Sequence, residues 1–248
     1  MKTLIKAELL KLRTAPALYV CAALASALTV AGVITNILLA GRSGAAPLGT
    51  VENVNKVFSV AAVSTMVALA VGITMLAGEY RHRTIVSAYL GEPRRGRVVV
   101  AKLITAGFLG AITGAVAFGL AVAIAVPMFA AKGVHHLHID LARMWWGAVV
   151  ASVCYGMLGV ALGAVARNTT GAIIGAIVWV QLVEVGILQA SLPALAKWLP
   201  TGAAVAITSS GEQTAHLLPV GVATIVLVGW AALLTTMSAR LTISRDVH

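Results

Sequence analysis

The sequence predicts an all-α, polytopic membrane protein: six transmembrane helices, an N-terminal amphipathic helix on the membrane surface, and a short cytosolic helix between the second and third spans. Three observations carry the prediction. Of 248 residues, 60% are hydrophobic, only 10% are charged, and the mean hydropathy is +0.97, whereas a soluble domain carries about a quarter of its residues charged. The charges are gathered between apolar runs at 14–41, 57–78, 103–131, 144–166, 168–196 and 213–239, which hold one charged residue in all, Glu184. A bilayer core takes roughly 20 apolar residues of helix, so each run crosses once.

The third observation is where the basic residues fall. With the N-terminus inside, Lys2, Lys6, Lys11, Arg13, Arg81, Arg83, Arg94, Arg95, Arg97, Lys102, Arg167, Arg240 and Arg245 are cytosolic. Arg42, Lys56, Lys132, Arg143 and Lys197 are outside. Thirteen against five is the bias of the positive-inside rule, and six spans place both termini in the cytosol. The net charge of +10 is therefore a topology signal, and nucleic acid is not expected as a partner. Strands are excluded because membrane barrels show alternating segments of about ten residues, while these runs are twice as long and do not alternate.

The whole chain, 1–248, reads as one membrane domain. Residues 1–13 form an amphipathic helix: at 100° per residue Met1, Ile5, Leu9 and Leu12 share a face, flanked by a stripe of Lys2, Lys6 and Arg13 that suits anionic headgroups of the lipid bilayer. The spans are expected at about 17–40, 57–78, 103–127, 144–166, 170–190 and 217–239. A start bearing lysines before an apolar stretch with Ala25-Ser26-Ala27 imitates a secretory signal, but the run exceeds the 7 to 15 residues of a signal core. Cys21 and Cys154 fall inside spans, where they pack as small apolar residues.

The loop after the second span reads Gly78-Glu79-Tyr80-Arg81-His82-Arg83-Thr84-Ile85, then Gly91-Glu92-Pro93-Arg94-Arg95-Gly96-Arg97, with the third helix starting near Lys102. Ile85, Val86, Tyr89 and Leu90 repeat at helical spacing, so a short helix over 79–90 is expected, stopped by Gly91 and Pro93. On the outer side, His135, His136, His138 and Asp140 have the residue types of a metal site but lack a full ligand pattern. No metal is expected to bind. Trp145 and Trp146 look like an interfacial anchor. Residues 191–215 are semi-apolar and interrupted by Pro193, Pro200, Gly202 and Gly211, which fits a re-entrant or interfacial segment protected by the bundle. The pairs Gly110 and Gly114, Gly159 and Gly163, and Gly171 and Gly175 have the spacing of close helix packing in lipid.

Chemistry is nearly absent. The chain contains no zinc-protease HExxH, no Gly-x-Ser-x-Gly elbow and no glycine-rich phosphate loop ending in Gly-Lys-Ser or Gly-Lys-Thr. It is therefore not expected to hydrolyse ATP itself. The intramembrane Glu184 stands out, because a carboxylate at that depth is costly unless it faces the bundle interior or a wet cavity. Gln181 lies one α-helical turn before it, so the two are expected on one face, as a substrate pathway or gate or as an interhelical hydrogen bond.

The order of these features resembles the integral-membrane permease subunits of type-2 ATP-binding-cassette (ABC) exporters. Members of that family commonly show a Glu, a Gly-Thr pair after three residues, then a Pro, an Arg and a Lys leading into the third span. Here Glu79, Thr84, Pro93, Arg94, Arg97 and Lys102 stand in that order, with Arg83 in place of the Gly. The resemblance implies a permease of the bacterial cytoplasmic membrane, with 79–90 as a coupling helix seated on a separate ATPase subunit that binds ATP and Mg. Glu79, Tyr80, Arg81, His82, Arg83, Thr84, Ile85, Pro93 and Arg94 would make that contact, with 1–13 as an interface helix beside it. It also implies a second permease copy or a paralogue. The competing readings are a membrane scaffold or immunity-type protein that transports nothing and, more weakly, an ion-coupled secondary carrier, which a single intramembrane acid and unmatched halves disfavour.

Overall fold

A computed structural model describes residues 2–13, 16–42, 45–81, 95–134, 139–166, 168–210 and 217–244. Among the described residues every regular element is helical. Six helical stretches are long and apolar enough to cross a membrane. The chain is an all-α, multi-pass membrane protein.

Local chemistry sets most boundaries. The N-terminal helix is Lys2–Arg13 and the first span Pro16–Leu38, with Pro16 at the first helical position, where its missing N–H costs nothing. The second span starts at Val51, six residues before the apolar run. Thr50 accepts a hydrogen bond from the Asn53 backbone N–H at 3.2 Å and caps it, so the polar residues Glu52, Asn53, Asn55 and Lys56 occupy its first turns. After Val51–Ser59 comes one tighter turn, Val60–Ala62, and then Val63–Arg81. The third span is a single helix, Arg95–Ala131. The fourth, Leu141–Ala166, is capped by Asp140, whose Oδ1 accepts from the Arg143 N–H at 3.0 Å. Asn168 caps the fifth in the same way, through the Gly171 N–H at 3.2 Å.

The fifth span departs from α geometry. Thr169–Val178 is α-helical, but Trp179–Leu188 is a π-helix before a last short turn, Gln189–Ser191. The 191–215 segment, described as far as Ser210, carries the short helices Pro193–Ala196 and Pro200–Thr208, and the sixth span is Val220–Ser244. We call the end of the bundle bearing the N-terminal helix proximal and the opposite end, bearing Pro200–Thr208, distal.

The second and fourth spans form the buried centre, while the first, fifth and sixth expose most of their side chains. Lipid is as apolar as leucine, so these helices gain little by hiding from it and are held by close packing. Val33, Val54, Phe58, Phe118 and Phe129 fill the distal side of spans one to four, with Phe58 and Phe118 stacked 5.4 Å apart. Met75, Leu76, Ala106 and Val160 fill the proximal side. Ile73, Tyr155, Leu158, Ile207 and Leu227 join spans two, four and six to the distal helix.

Glycines permit the tightest contacts. A Cβ on Gly110 would overlap the Ser152 carbonyl, and one on Gly114 would lie 2.7 Å from the Ala148 carbonyl oxygen. Gly159 and Gly163 abut the second span at Leu69 and Ile73 in the same manner. The third expected pair differs, since Gly175 has open space around it and Gly171 meets its own cap, Asn168. Spacing alone does not distinguish a helix face that meets a neighbour from one that does not.

Candidate functional site

At the proximal end four charged side chains from three elements meet. Lys102 is fully buried on the inner face of the third span, in register with Val98, Val99, Thr105 and Ala106. Its ammonium donates to Glu8 Oε2 at 2.9 Å and to the Met75 carbonyl at 3.1 Å, and pairs with Glu79 Oε1 at 2.8 Å. Lys11 bridges the same two acids, reaching Glu8 Oε1 at 3.0 Å and Glu79 Oε1 at 2.9 Å. Among the described residues two lysines stand against two carboxylates, so each buried charge has an opposite partner, without which its burial would be costly. This knot ties the N-terminal helix to the end of the second span and the start of the third.

Partial burial works against the Lys11 charge, but its hydrogen bonds to Glu79 and Glu8 outweigh this and hold its pKa above the ordinary lysine value. A cation with a raised folded-state pKa contributes its stability below the unfolded value and loses it as pH rises through the folded one. The Lys11 contribution therefore persists through neutral pH and fades only under strongly alkaline conditions.

The second constellation lies within the bundle. Glu184, 3% exposed, sits in the π-helical stretch of the fifth span. Trp179 Nε1 donates to Glu184 Oε1 at 2.8 Å, and the Thr201 backbone N–H donates to Oε2 at 3.0 Å. The π-helix explains the first bond: an i→i+5 turn stacks residues five apart, which is the spacing from Trp179 to Glu184. The second bond places the carboxylate at the N-terminus of Pro200–Thr208, where unpaired N–H groups and the helix dipole favour negative charge. Thr201 Oγ1 continues the chain to the Tyr155 hydroxyl at 3.1 Å. Glu184 thus fastens the fifth span to the distal helix, and through Thr201 to the centre of the fourth.

Two cavities flank Tyr155. One, of about 290 Å³, opens toward Gln181, Thr201 and the tight turn of the second span. The other, of about 420 Å³, runs between the fourth, fifth and sixth spans from Ala166 and Gly171 up to Glu184.

Compared with known protein families, residues 8–241 match the model described as "ABC-2 family transporter protein". The chain belongs to the ABC-2 transporter family. The match covers nearly its whole length, from within the N-terminal helix through the sixth span, and identifies a membrane component of an ABC-type transporter. A comparison with curated proteins found no match.

In this ABC-2 chain the expected site residues separate into three groups. Glu79 is in the knot, and Tyr80 beside it packs on the proximal core. Both belong to the last turns of the second span, which runs unbroken through Gly78 to Arg81. The rest of the expected 79–90 helix lies outside the described residues. His82, Arg83, Thr84, Ile85, Pro93 and Arg94 lie outside the described residues, as do the side chains of Lys2, Arg13 and Arg81. Lys6 is exposed on the N-terminal helix. Glu184 is buried but Gln181 is exposed and lines the other cavity. The expectation that they share a face is corrected, because the wider π-turn rotates residues three apart onto different sides.

Sequence reasoning missed Glu8, Lys11 and Lys102 as a unit, and the signal was present. Glu8 lies about 20° from Met1 on a 100° helical projection, between Met1 and Leu4 on the apolar side, where an acid has no place without a partner. Trp179 and Thr201 could not be found in this way, since one needs the π-turn and the other a tertiary contact.

The distal end has a polar clasp. Asn55 Nδ2 donates to the Ser210 carbonyl at 2.6 Å and Asn55 Oδ1 accepts from the Ser210 N–H at 3.0 Å. Arg143 Nη2 donates to the Ser209 carbonyl, and the Asp140 N–H donates to Ser210 Oγ at 3.3 Å. Asn55→Ala strips both groups of Ser210 of their partner, and an unmet buried polar group costs about 1–3 kcal/mol. The expected result is a lower melting temperature and faster proteolysis near 209–217. Unchanged digestion would show that the clasp does not hold this segment.

Proposed function

We propose that this chain is the permease subunit of an ATP-driven ABC exporter in the bacterial cytoplasmic membrane, with the proximal end and both termini in the cytosol. Hydrolysis belongs to a separate ATPase subunit that binds ATP and Mg. Two permease copies, or this chain and a paralogue, form the transport unit. The segment from Glu79 through Ile85, with Pro93 and Arg94, contacts the ATPase, and the N-terminal helix lies beside it against anionic lipid through Lys2, Lys6 and Arg13.

The observation that supports this reading best is the Glu8–Lys11–Glu79–Lys102 knot. It brackets 82–94 with a charged fastening on either side, Glu79 before it and Lys102 after it. A push on that segment is then delivered to the second and third spans and the N-terminal helix together. Coupling of this kind biases a two-state membrane domain through an interface, with no catalysis in the permease. At the far end, the Glu184 bond to Pro200–Thr208 and the Asn55 clasp hold the segment that would cap the exit.

Affinity purification of the tagged chain from its native membrane should yield, in stoichiometric amount, an ATPase carrying a glycine-rich phosphate loop. Inverted vesicles should accumulate substrate only with ATP, and replacing Arg81 and Arg94 together by Ala, neither of them a member of the knot, should lower that flux tenfold or more while insertion persists. Recovery of the chain without an ATPase would overturn the permease reading in favour of a non-transporting scaffold. Full flux in the double variant would remove the coupling assignment.

A further inference from the structure

We propose that the 420 Å³ cavity between the fourth, fifth and sixth spans is a binding site for lipophilic monocations. This deepens the permease reading and rests on it for its role in transport. The volume lies within the range of roughly 300–1,000 Å³ typical of small-molecule sites. The walls are almost wholly apolar, formed by side chains such as Leu158, Leu162 and Leu234, and two indoles, Trp179 and Trp230, line it with them. The Glu184 carboxylate stands at its distal end.

Among the described residues that line the cavity, Glu184 is the only charged one and sets its sign. Its oxygens accept two hydrogen bonds, from the Trp179 indole and the Thr201 amide, both neutral donors. No cationic side chain pairs with it among the described residues, in contrast to Glu8 and Glu79, which share two lysines. A carboxylate has about four lone-pair directions, so two bonds leave acceptor capacity. Burying an anion without a counter-ion is costly, and in a membrane such residues mark ligand or ion pathways. A cation entering the cavity supplies the missing charge. Aromatic faces add to its binding once water is excluded, most strongly for tryptophan. The apolar walls demand that the rest of the ligand be hydrophobic, and a cavity with one carboxylate takes one positive charge.

The test is equilibrium binding of tetraphenylphosphonium to the purified full chain in nanodiscs of neutral phosphatidylcholine, with empty nanodiscs subtracted. Expected is saturable binding that Glu184→Gln weakens at least tenfold. Ala176→Leu, which fills the cavity from the fifth span eight residues before the carboxylate, should abolish it. Tetraphenylborate, of the same shape and opposite charge, should show no saturable binding when titrated by itself. Absence of saturable phosphonium binding, equal affinity in Glu184→Gln, or equally tight binding of tetraphenylborate titrated by itself would overturn the proposal. Should Glu184→Gln fail to fold, the Ala176→Leu variant and the separate borate titration decide the matter. The assay needs no ATPase, so a negative result removes the ligand class while leaving co-purification and vesicle flux to judge the permease reading separately.

Discussion

Lys102→Met will destabilise the chain by about 3–5 kcal/mol, because removing one member of a buried ion cluster strands the charges left behind. The Lys102 side chain is fully enclosed, and Glu8 and Glu79 are nearly so. Without Lys102 the two carboxylates would have between them, among the described residues, only Lys11, whose side chain is half exposed. Glu79 Oε2 is already buried with no hydrogen-bond partner among the described residues, so it has no reserve of solvation to draw on. The check is thermal or denaturant unfolding of the purified protein in detergent, with a lower yield of inserted protein as the cellular counterpart. The triple variant Glu8→Gln, Glu79→Gln, Lys102→Met should recover most of the loss, since replacing a whole buried ionic cluster by neutral groups is often nearly neutral. If Lys102→Met melts with wild type, the knot contributes nothing to the fold. The triple variant also separates stability from coupling: it should fold, yet lose ATP-driven flux if the knot transmits the stroke.

The six spans were legible in the sequence because membrane insertion selects on length and apolarity alone, and both are local. Caps were less so. Thr50 pulled the start of the second span back to Val51, through polar residues that hydropathy assigns to a loop. The knot was half legible. Glu79 drew notice by its position after a span, but Lys102 reads as an ordinary basic helix start until its register with Val98 and Val99 is seen to face inward. The site at Glu184 was legible as a charge and illegible as a geometry. An α-helical projection pairs it with Gln181, while the chain forms a π-helix that pairs it with Trp179. Nothing in single-residue propensity favours π over α.

Gly159→Ala will disrupt the centre of the bundle although it adds one carbon, and Gly175→Ala will not. Gly159 stands where the second and fourth spans touch backbone to backbone. Its Cβ would overlap the Leu69 carbonyl oxygen and lie 3.0 Å from both the Gly72 Cα and the Ile73 nitrogen. None of these atoms is the end of a flexible side chain, so relief requires the two helices to separate. Separation withdraws the packing of Gly72 against Val160 and of Gly163 against Ile73 at the same time. Overpacking a close contact costs typically about 1–3 kcal/mol and occasionally more, and a rigid contact between two backbones belongs at the upper end. Gly175 faces open space within its own chain, and alanine is the better helix former by about 1 kcal/mol. The two variants differ only in what the new methyl meets, and unfolding of the purified chain measures that difference directly. Equal melting temperatures would mean that the second and fourth spans do not approach this closely. The contact bears on the cavity as well, because Leu69 on one side of it and Tyr155 and Leu158 on the other line the space below Glu184. Prising these helices apart should therefore weaken tetraphenylphosphonium binding even where enough folded protein survives to be measured.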